Sequence, residues 1–278
     1  MPELAEAEFY RKRWHQAAIK RRVAAVITHD RAQVFRGSNP AALRRALVGA
    51  RFFGSEAAAK QILFRFHGPV GWMWLGVHLG MSGELRVEPA GYEPHRHDHL
   101  VLRLTRTTLV LSDLRMFGRV RFHRGTEPPE WWTNIAPAIH SDAFTVDAVA
   151  SFLHRRARAP IKAVLLMQNR FPGIGNWMAD EILWRAAIQP RRLAGSLRPA
   201  ETRALWRECR RVARLALATI AGRGDYLPPD LNLHIPRSWL FWHRWEAGGL
   251  CPKTKLPLVR EAVGGRTTCW SPARQILS

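Results

Sequence analysis

A change of hydrophobic texture part-way along the chain constrains its fold more than any other feature. From about residue 21 to 123 short runs rich in β-branched and aromatic residues follow one another: VAAVITH, QVFRG, KQILFRFHG, GWMWLGVHL, HLVLRL, TTLVLSD and RVRFHRG. Gly, Pro and Asp separate several of them, as expected of strands joined by turns. From 146 to 222 helical periodicity takes over, in VDAVASFLHRR, KAVLLMQ, ADEILWRAAI and ETRALWRECRRVARLALATIAG, with Gly222 and Gly224 placed to end the last helix. Strands grouped first and helices afterwards predict an α+β protein with an N-terminal β-sandwich and a C-terminal helical domain. A helix over 4–18, carrying Leu4, Phe9, Trp14 and Ala17, precedes the strands, and a short one, AALRRALVGA, interrupts them. Residues 225–236 read as a Pro-rich loop and 249–274 as two short strands joined by a turn.

Charge narrows the partners. Among 278 residues, 43 Lys and Arg face 22 Asp and Glu, a formal net charge of +21, which favours a polyanion such as nucleic acid. Lysine occurs only at 12, 20, 60, 162, 253 and 255, so a lysine in a motif is informative. The three cysteines, Cys209, Cys251 and Cys269, are too few and odd in number for a disulfide framework. With no long apolar run and no signal-peptide pattern in MPELAEAEFY, a soluble intracellular protein without membrane association is expected, cytoplasmic and nucleoid-associated in a bacterium or nuclear in a eukaryote.

Five segments carry chemistry. In the first, Pro2-Glu3 opens the leading helix. Removal of Met1 would expose a secondary amine. An α-amino group titrates near pH 7.7–8.0, and a helix N-terminus disfavours its protonated form. Such an amine forms an iminium with an aldehyde, and Glu3 could move protons. A proline and acidic residues at a helix start also have a purely structural reading. The second segment, HLGMSGEL (His78 to Leu85), is a strand followed by a Gly-rich turn. The third joins HRHDHLVLRL to LSDLRMFGRVRF. His95, His97 and His99 would share one strand face, suiting either a metal or core hydrogen bonding. Arg115, Met116 and Phe117 combine charge with bulk in a turn, as a wedge entering a duplex requires. The fourth, QNRFPGIGNWMADEILWRAAIQP, sets glycines before a helix whose N–H groups suit a phosphate. In the fifth, a C-x2-C…C-x2-C zinc-ribbon template falls on Cys251, Thr254, Ser271 and Arg274, leaving one ligand of four.

In order along the chain, PELAEAE, HLGMSG, HDH, D-x-R-x-FG and GIGN-x-x-ADEIL resemble the formamidopyrimidine-DNA glycosylase and endonuclease VIII family over nearly the whole length. The resemblance implies a catalytic β-sandwich over 1–124 and a linker over 125–145. It further implies a helix–two-turn–helix domain over 146–236 and a β-hairpin finger over 237–278, with DNA running between the domains. It makes Pro2 the Schiff-base nucleophile, Glu3 the catalytic acid and Glu6 its acidic support. Lys60, Asn176 and Arg266 become phosphate-binding residues, and Met81, Arg115 and Phe117 fill the void left by an extruded base. The implied activity is removal of an oxidised base, with oxidised purine first, followed by strand cleavage through β- and δ-elimination. The expected partner is double-stranded DNA bearing a damaged base or an abasic site, bound by a monomer without cofactor.

The chain departs from the family pattern at Ala5, where proline is usual, and at Leu114 and Met116 in the void-filling loop. The segment 222–236 is compact where oxidised-guanine enzymes carry a longer capping loop. Loss of the zinc positions with retention of Arg266 resembles members with a zincless finger, whose hairpin would hold through Leu256, Leu258, Val259, Val263 and Trp270. Two other classes stay open: a catalytically silent damage binder of the same fold, and an unrelated basic DNA-binding or structural protein.

Overall fold

The computed structural model describes residues 2–276 and divides the chain into two compact units. The first comprises 1–135 together with 221–229, and the second 136–220 and 230–278. This division differs from the boundaries read from sequence. The segment 125–145 is split between the units, and part of the Pro-rich loop belongs to the first unit rather than to the second.

In the first unit, helix α1 (Leu4–Ala18) precedes eight strands: β1 (Val23–Thr28), β2 (Arg51–Ala58), β3 (Gln61–Gly68), β4 (Gly71–His78), β5 (Glu84–Pro89), β6 (Asp98–Leu104), β7 (Thr107–Ser112) and β8 (Arg119–Arg124). Helix α2 (Pro40–Leu47) lies between β1 and β2, and the short α3 (Glu130–Thr133) follows β8. The strands form two antiparallel four-stranded sheets, ordered β1-β6-β7-β5 and β2-β3-β4-β8. Alternation puts Phe64 and Phe66 of β3 and Met73, Leu75 and Val77 of β4 in the core of one sheet. Leu100, Leu102, Leu109 and Leu111 are buried in the other.

Helix α1 is tied to both sheets. Trp14, fully buried, donates its indole N–H to the Arg86 carbonyl of β5 at 2.9 Å and lies 5.0 Å from the Phe64 ring of β3. Arg11 and His15 both reach the Ser55 hydroxyl of β2 at 2.9 Å. Lys12 is buried, and its ammonium donates to the carbonyls of Ala221, Gly222 and Gly224 at 3.0, 2.9 and 2.8 Å. That contact draws 221–229 into the first unit.

Three sequence expectations are corrected here. QVFRG is no strand: Gln33–Phe35 forms a 3-10 turn. Two strands lie outside the segments read as strands, β2 (RFFGSEAA) and β5 (ELRVEP). Small and charged residues weaken their signal, and both gain their conformation from pairing with β3 and β7. His95, His97 and His99 do not share a strand face, because β6 begins at Asp98. His99 is buried against the Asp113 carbonyl at 3.0 Å, while His95 lends its N–H to the Asp98 carboxylate at 2.9 Å.

In the second unit, α4 (Val146–Arg155), α5 (Ile161–Leu165), α6 (Asn176–Ala186) and α7 (Pro199–Ala216) are followed by the hairpin β9 (Val259–Val263) and β10 (Arg266–Trp270). After α7 the helix closes as a π turn over Leu217–Ala221, a little short of the end read from sequence. The most buried helix is α6, from Trp177 to Trp184. It packs against α7, α5 and β10. Among the described residues no helix is long and apolar enough to cross a membrane.

Candidate active site

The N-terminal motif lies where α1 starts. Glu3 is the N-cap residue, almost wholly buried, and its backbone N–H donates to the Glu6 carboxylate at 3.2 Å. Pro2 immediately precedes it. The two glutamates thus close the first turn reciprocally. The fully buried Ala5 and Ala7 let that turn lie close to its neighbours, so Ala5 fits where a bulkier proline was expected. Removal of Met1 concerns a residue outside those described.

Lys60 sits at the tip of the β2–β3 hairpin. A two-residue loop, Ala59-Lys60, joins the strands, and Ala59 adopts φ +55° as such a turn demands. Lys60 is close enough to His78 that its charge adds to burial in pushing the imidazole pKa down. His78 Nδ1 accepts the Gly80 N–H at 3.1 Å.

The loops bearing Met81 and Arg115–Phe117 are joined through Asp113, a fully buried carboxylate. Its Oδ1 accepts the Ser82 hydroxyl at 2.6 Å and the Arg115 N–H at 3.2 Å, and its Oδ2 accepts the Gly118 N–H at 2.7 Å. A Cβ at Gly80, whose φ is +62°, would stand 2.4 Å from Gly118 N, so only glycine lets the two loops touch. Arg36 braces the same turn from outside, donating to the carbonyls of Gly118 and Phe117 at 2.6 and 3.2 Å. On this base Phe117 stands half exposed, and the Arg115 guanidinium lies 4.9 Å from its ring centroid. Sequence reasoning quoted Asp113 within a motif but missed its task, because the burial of a carboxylate has no local signature.

In the second unit, Asn176 is the first residue of α6, and its side-chain amide donates to the Thr267 carbonyl at 2.7 Å. Arg266, beside Thr267, is exposed at the head of β10. The β9–β10 turn is Gly264-Gly265, at φ +59° and +75°, the geometry of a tight hairpin that demands glycine. Asn176 and Arg266, ninety residues apart in sequence, are therefore neighbours.

The hairpin is fastened by groups that sequence reasoning did not assign. Asp180 on α6, buried between Lys162 and Arg244, accepts the Cys269 N–H at 3.1 Å and two Arg244 bonds at 2.6 and 3.1 Å. Lys162 donates to the Asn176 carbonyl at 2.7 Å. Glu181 accepts Leu240 N–H at 2.8 Å, and its burial pushes its pKa up. The apolar seal consists of Trp184, Leu240, Cys251, Leu258 and Cys269. Of the side chains expected to hold the hairpin, Leu258 and Val263 are buried, but Leu256 is exposed, because its backbone carbonyl turns inward to Cys251 N–H at 2.9 Å.

The four zinc-template positions do not suit a metal. Donors point at the Cys251 sulfur: Trp184 Nε1 at 3.4 Å and the Thr254 N–H at 3.5 Å. Burial opposes ionisation of Cys251, yet hydrogen bonds from Thr254 and Trp184 bring its pKa to about 7. The fourth position, Arg274, is a cation that donates to the carbonyls of Trp184 and Arg185 at 2.8 and 3.2 Å, closing the C-terminal end of α6. No group of three or more His, Cys, Asp or Glu among the described residues could hold a metal.

Residues 1–120 match the family described as formamidopyrimidine-DNA glycosylase N-terminal domain, and 135–224 the formamidopyrimidine-DNA glycosylase H2TH domain. A formamidopyrimidine-DNA glycosylase of a Roseiflexus species is 34% identical over 99% of this chain and 100% of its own. One from Thermus thermophilus is 34% identical over 99% and 98%. Among solved structures, the Lactococcus lactis enzyme in complex with N7-benzyl-Fapy-dG DNA superposes with a TM-score of 0.85 at 21% identity, over 99% of this chain and 100% of that one.

Proposed function

The chain belongs to the formamidopyrimidine-DNA glycosylase family, and we propose from that premise that it is a bifunctional DNA glycosylase and abasic-site lyase of base excision repair, acting through the amine of Pro2. The observation that carries the reading is Pro2-Glu3 at the start of a helix tied to both sheets, in a chain that shares 34% identity with whole enzymes of that name.

The steps follow from the groups present. The damaged nucleotide is extruded, at an unstacking cost of a few kcal/mol, while Met81, Arg115 and Phe117 occupy the gap. The lone pair of Pro2 N forms a bond to C1′ as the C1′–base bond breaks, and Glu3 supplies the proton that the departing base accepts. The N–H proton of Pro2 passes to the sugar ring oxygen as the C1′–O4′ bond breaks, leaving a C1′ iminium on Pro2. This makes the C2′ proton acidic, and its loss expels the 3′-phosphate. A second elimination expels the 5′-phosphate, and hydrolysis frees the amine. Apart from the water consumed in that hydrolysis, the steps need no co-reactant, and they include no oxidation or reduction. Lys60, Asn176 and Arg266 hold backbone phosphates. Oxidised purines are the lead substrates, because the N-terminal motif is nearer to the formamidopyrimidine branch. The finger holds its hairpin without zinc.

Borohydride trapping on an abasic-site duplex tests the nucleophile. Wild type yields a covalent complex, Pro2→Gly traps far less, and a form retaining Met1 does not trap, since its Pro2 nitrogen is an amide. Undiminished trapping by the Met1-retaining form rules out Pro2. Excision from a panel of oxidised purines and pyrimidines decides the lesion class.

A further inference from the structure

The first unit contains a basic hollow that none of the phosphate-binding residues named above accounts for. It has a volume of about 240 Å³ and is lined by Arg36, Gln61, His78, Phe117, Arg119 and Arg121. Strand register assembles it. Gln61 lies opposite His78, and His78 lies opposite Arg119 across β3, β4 and β8. Arg119 and Arg121, two apart on the edge strand β8, point to the same face. Opposite Arg121 is Gly76, where a Cβ would stand 2.3 Å from the Trp131 ring. Trp131 thus covers the bare strand, and the Arg121 guanidinium stacks 5.2 Å from its centroid.

The charge here is one-sided. No carboxylate lines the hollow. Asp113, whose charge reaches His78, is already engaged by Ser82, Arg115 and Gly118. Arg119 Nε is buried with no hydrogen-bond partner among the described residues. The strain shows in the titrating groups: burial and then Lys60, Arg36 and Arg121 lower the His78 pKa, and burial and then Arg119 lower that of Arg121. Cations collected around a concavity, with an unused N–H donor, suit an anion whose oxygens accept from several guanidinium N–H groups at once.

We propose that this hollow binds a phosphodiester group of the DNA backbone, with Arg119 and Arg121 as its direct ligands beside the Phe117 wedge. The assignment rests on DNA being the ligand, as in the reading above. A phosphodiester is favoured over a free phosphate because Phe117, the wedge of the reading above, both lines the hollow and stands half exposed. A strand held here is fixed directly next to the wedge, so the contact sets the register of insertion.

The test uses the full-length protein and undamaged duplexes, each carrying one uncharged methylphosphonate linkage, with wild type, Arg119→Gln and Arg121→Gln. At one linkage, neutralisation should weaken wild-type binding about tenfold but each variant less than about twofold, as coupled partners do. Each glutamine variant should also lose about one unit of salt slope. Arg119→Lys and Arg121→Lys should keep that slope while losing several-fold affinity at the same linkage, because an ammonium lacks the bidentate fork. These lysine variants carry the comparison should a glutamine variant fail to fold. Absence of any linkage with such coupling in folded variants overturns the proposal. So does an effect confined to nicked duplexes ending in a phosphate, which would assign the hollow to a terminal phosphate. Wild type that binds duplex with this coupling but traps no covalent complex would defeat the glycosylase reading and leave the phosphodiester site standing.

Discussion

The Ser82 hydroxyl donates to the Asp113 carboxylate at 2.6 Å, joining two loops thirty-one residues apart in sequence. One loop carries Met81 and the other Arg115 and Phe117. The same carboxylate takes the Arg115 and Gly118 N–H groups. A single buried carboxylate therefore fixes the relative placement of the loops that carry Met81, Arg115 and Phe117.

Replacing Asp113 by Ala leaves the buried Gly118 N–H without its carboxylate partner, at a cost of about 1–3 kcal/mol, and unties Ser82 from the second loop. We expect excision of a damaged base from duplex to fall at least about tenfold, since 1.4 kcal/mol is a factor of ten in rate. Nicking of an abasic site already exposed should fall less. Arg115→Ala and Phe117→Ala should show the same split with little loss of stability, because both side chains are exposed. Single-turnover rates on the two substrates check this, and equal losses on both would assign the loops to folding alone.

Arg266→Ala should weaken duplex binding and reduce the salt slope by about one unit, whereas Asn176→Ala, which removes a neutral amide, should weaken binding with the slope unchanged; lesion ranking should stay the same in both, because phosphate contacts carry no base information. Binding isotherms across a salt series measure it. Since Asn176 also holds the Thr267 carbonyl, its loss should additionally speed amide exchange in β10, whereas Arg266→Ala should not. A changed lesion ranking in either variant, or an unchanged salt slope in Arg266→Ala, would remove that residue's phosphate role.

Chelator should leave both binding and nicking intact, and elemental analysis should find no stoichiometric zinc. The fastening is instead Asp180 with Arg244 and the Cys269 N–H. Arg244→Met strands part of a buried carboxylate and should destabilise the second unit by about 3–5 kcal/mol, read as a lower melting temperature. About one zinc per chain, lost together with DNA binding on chelation, would defeat this account.

Acid should unfold the second unit through Glu201. Burial works against its ionisation, but Arg198 and Arg192 outweigh that and hold its pKa at about 2, below the ordinary 4.5. A depressed folded-state pKa contributes stability that is full above pH 4.5 and lost as pH falls through 2. Glu201→Gln should lower stability at neutral pH and flatten the dependence between pH 4.5 and 2. Melting curves across that range check it. An unchanged acid slope in the variant would exclude Glu201 as the source.

Local chemistry was enough to determine a good deal. The short apolar runs in QILFRF and WMWLGV, bounded by turn residues, specify β3 and β4, since such runs suit buried strands. The capping pattern at Glu3 and Glu6 specifies the start of α1, and Gly264-Gly265 specifies the finger turn, because these are interactions within a few residues. That Thr254, Ser271 and Arg274 stand at three of the four zinc-ribbon template positions was legible residue by residue. What only the tertiary structure decided depends on burial and on partners distant in sequence. RFFGSEAA is a strand because β3 supplies its hydrogen bonds, and QVFRG is not, for lack of such a partner. Nothing near Asp113 or Asp180 in sequence shows that each carboxylate is buried and shared among donors from separate segments. Nor does spacing show that Arg119 lies opposite His78 and Arg121 opposite Gly76, because strand register is set by which neighbour pairs. A chain specifies its turns and periodicities locally, while the electrostatics of a site arise from charges that only folding brings within a few ångströms.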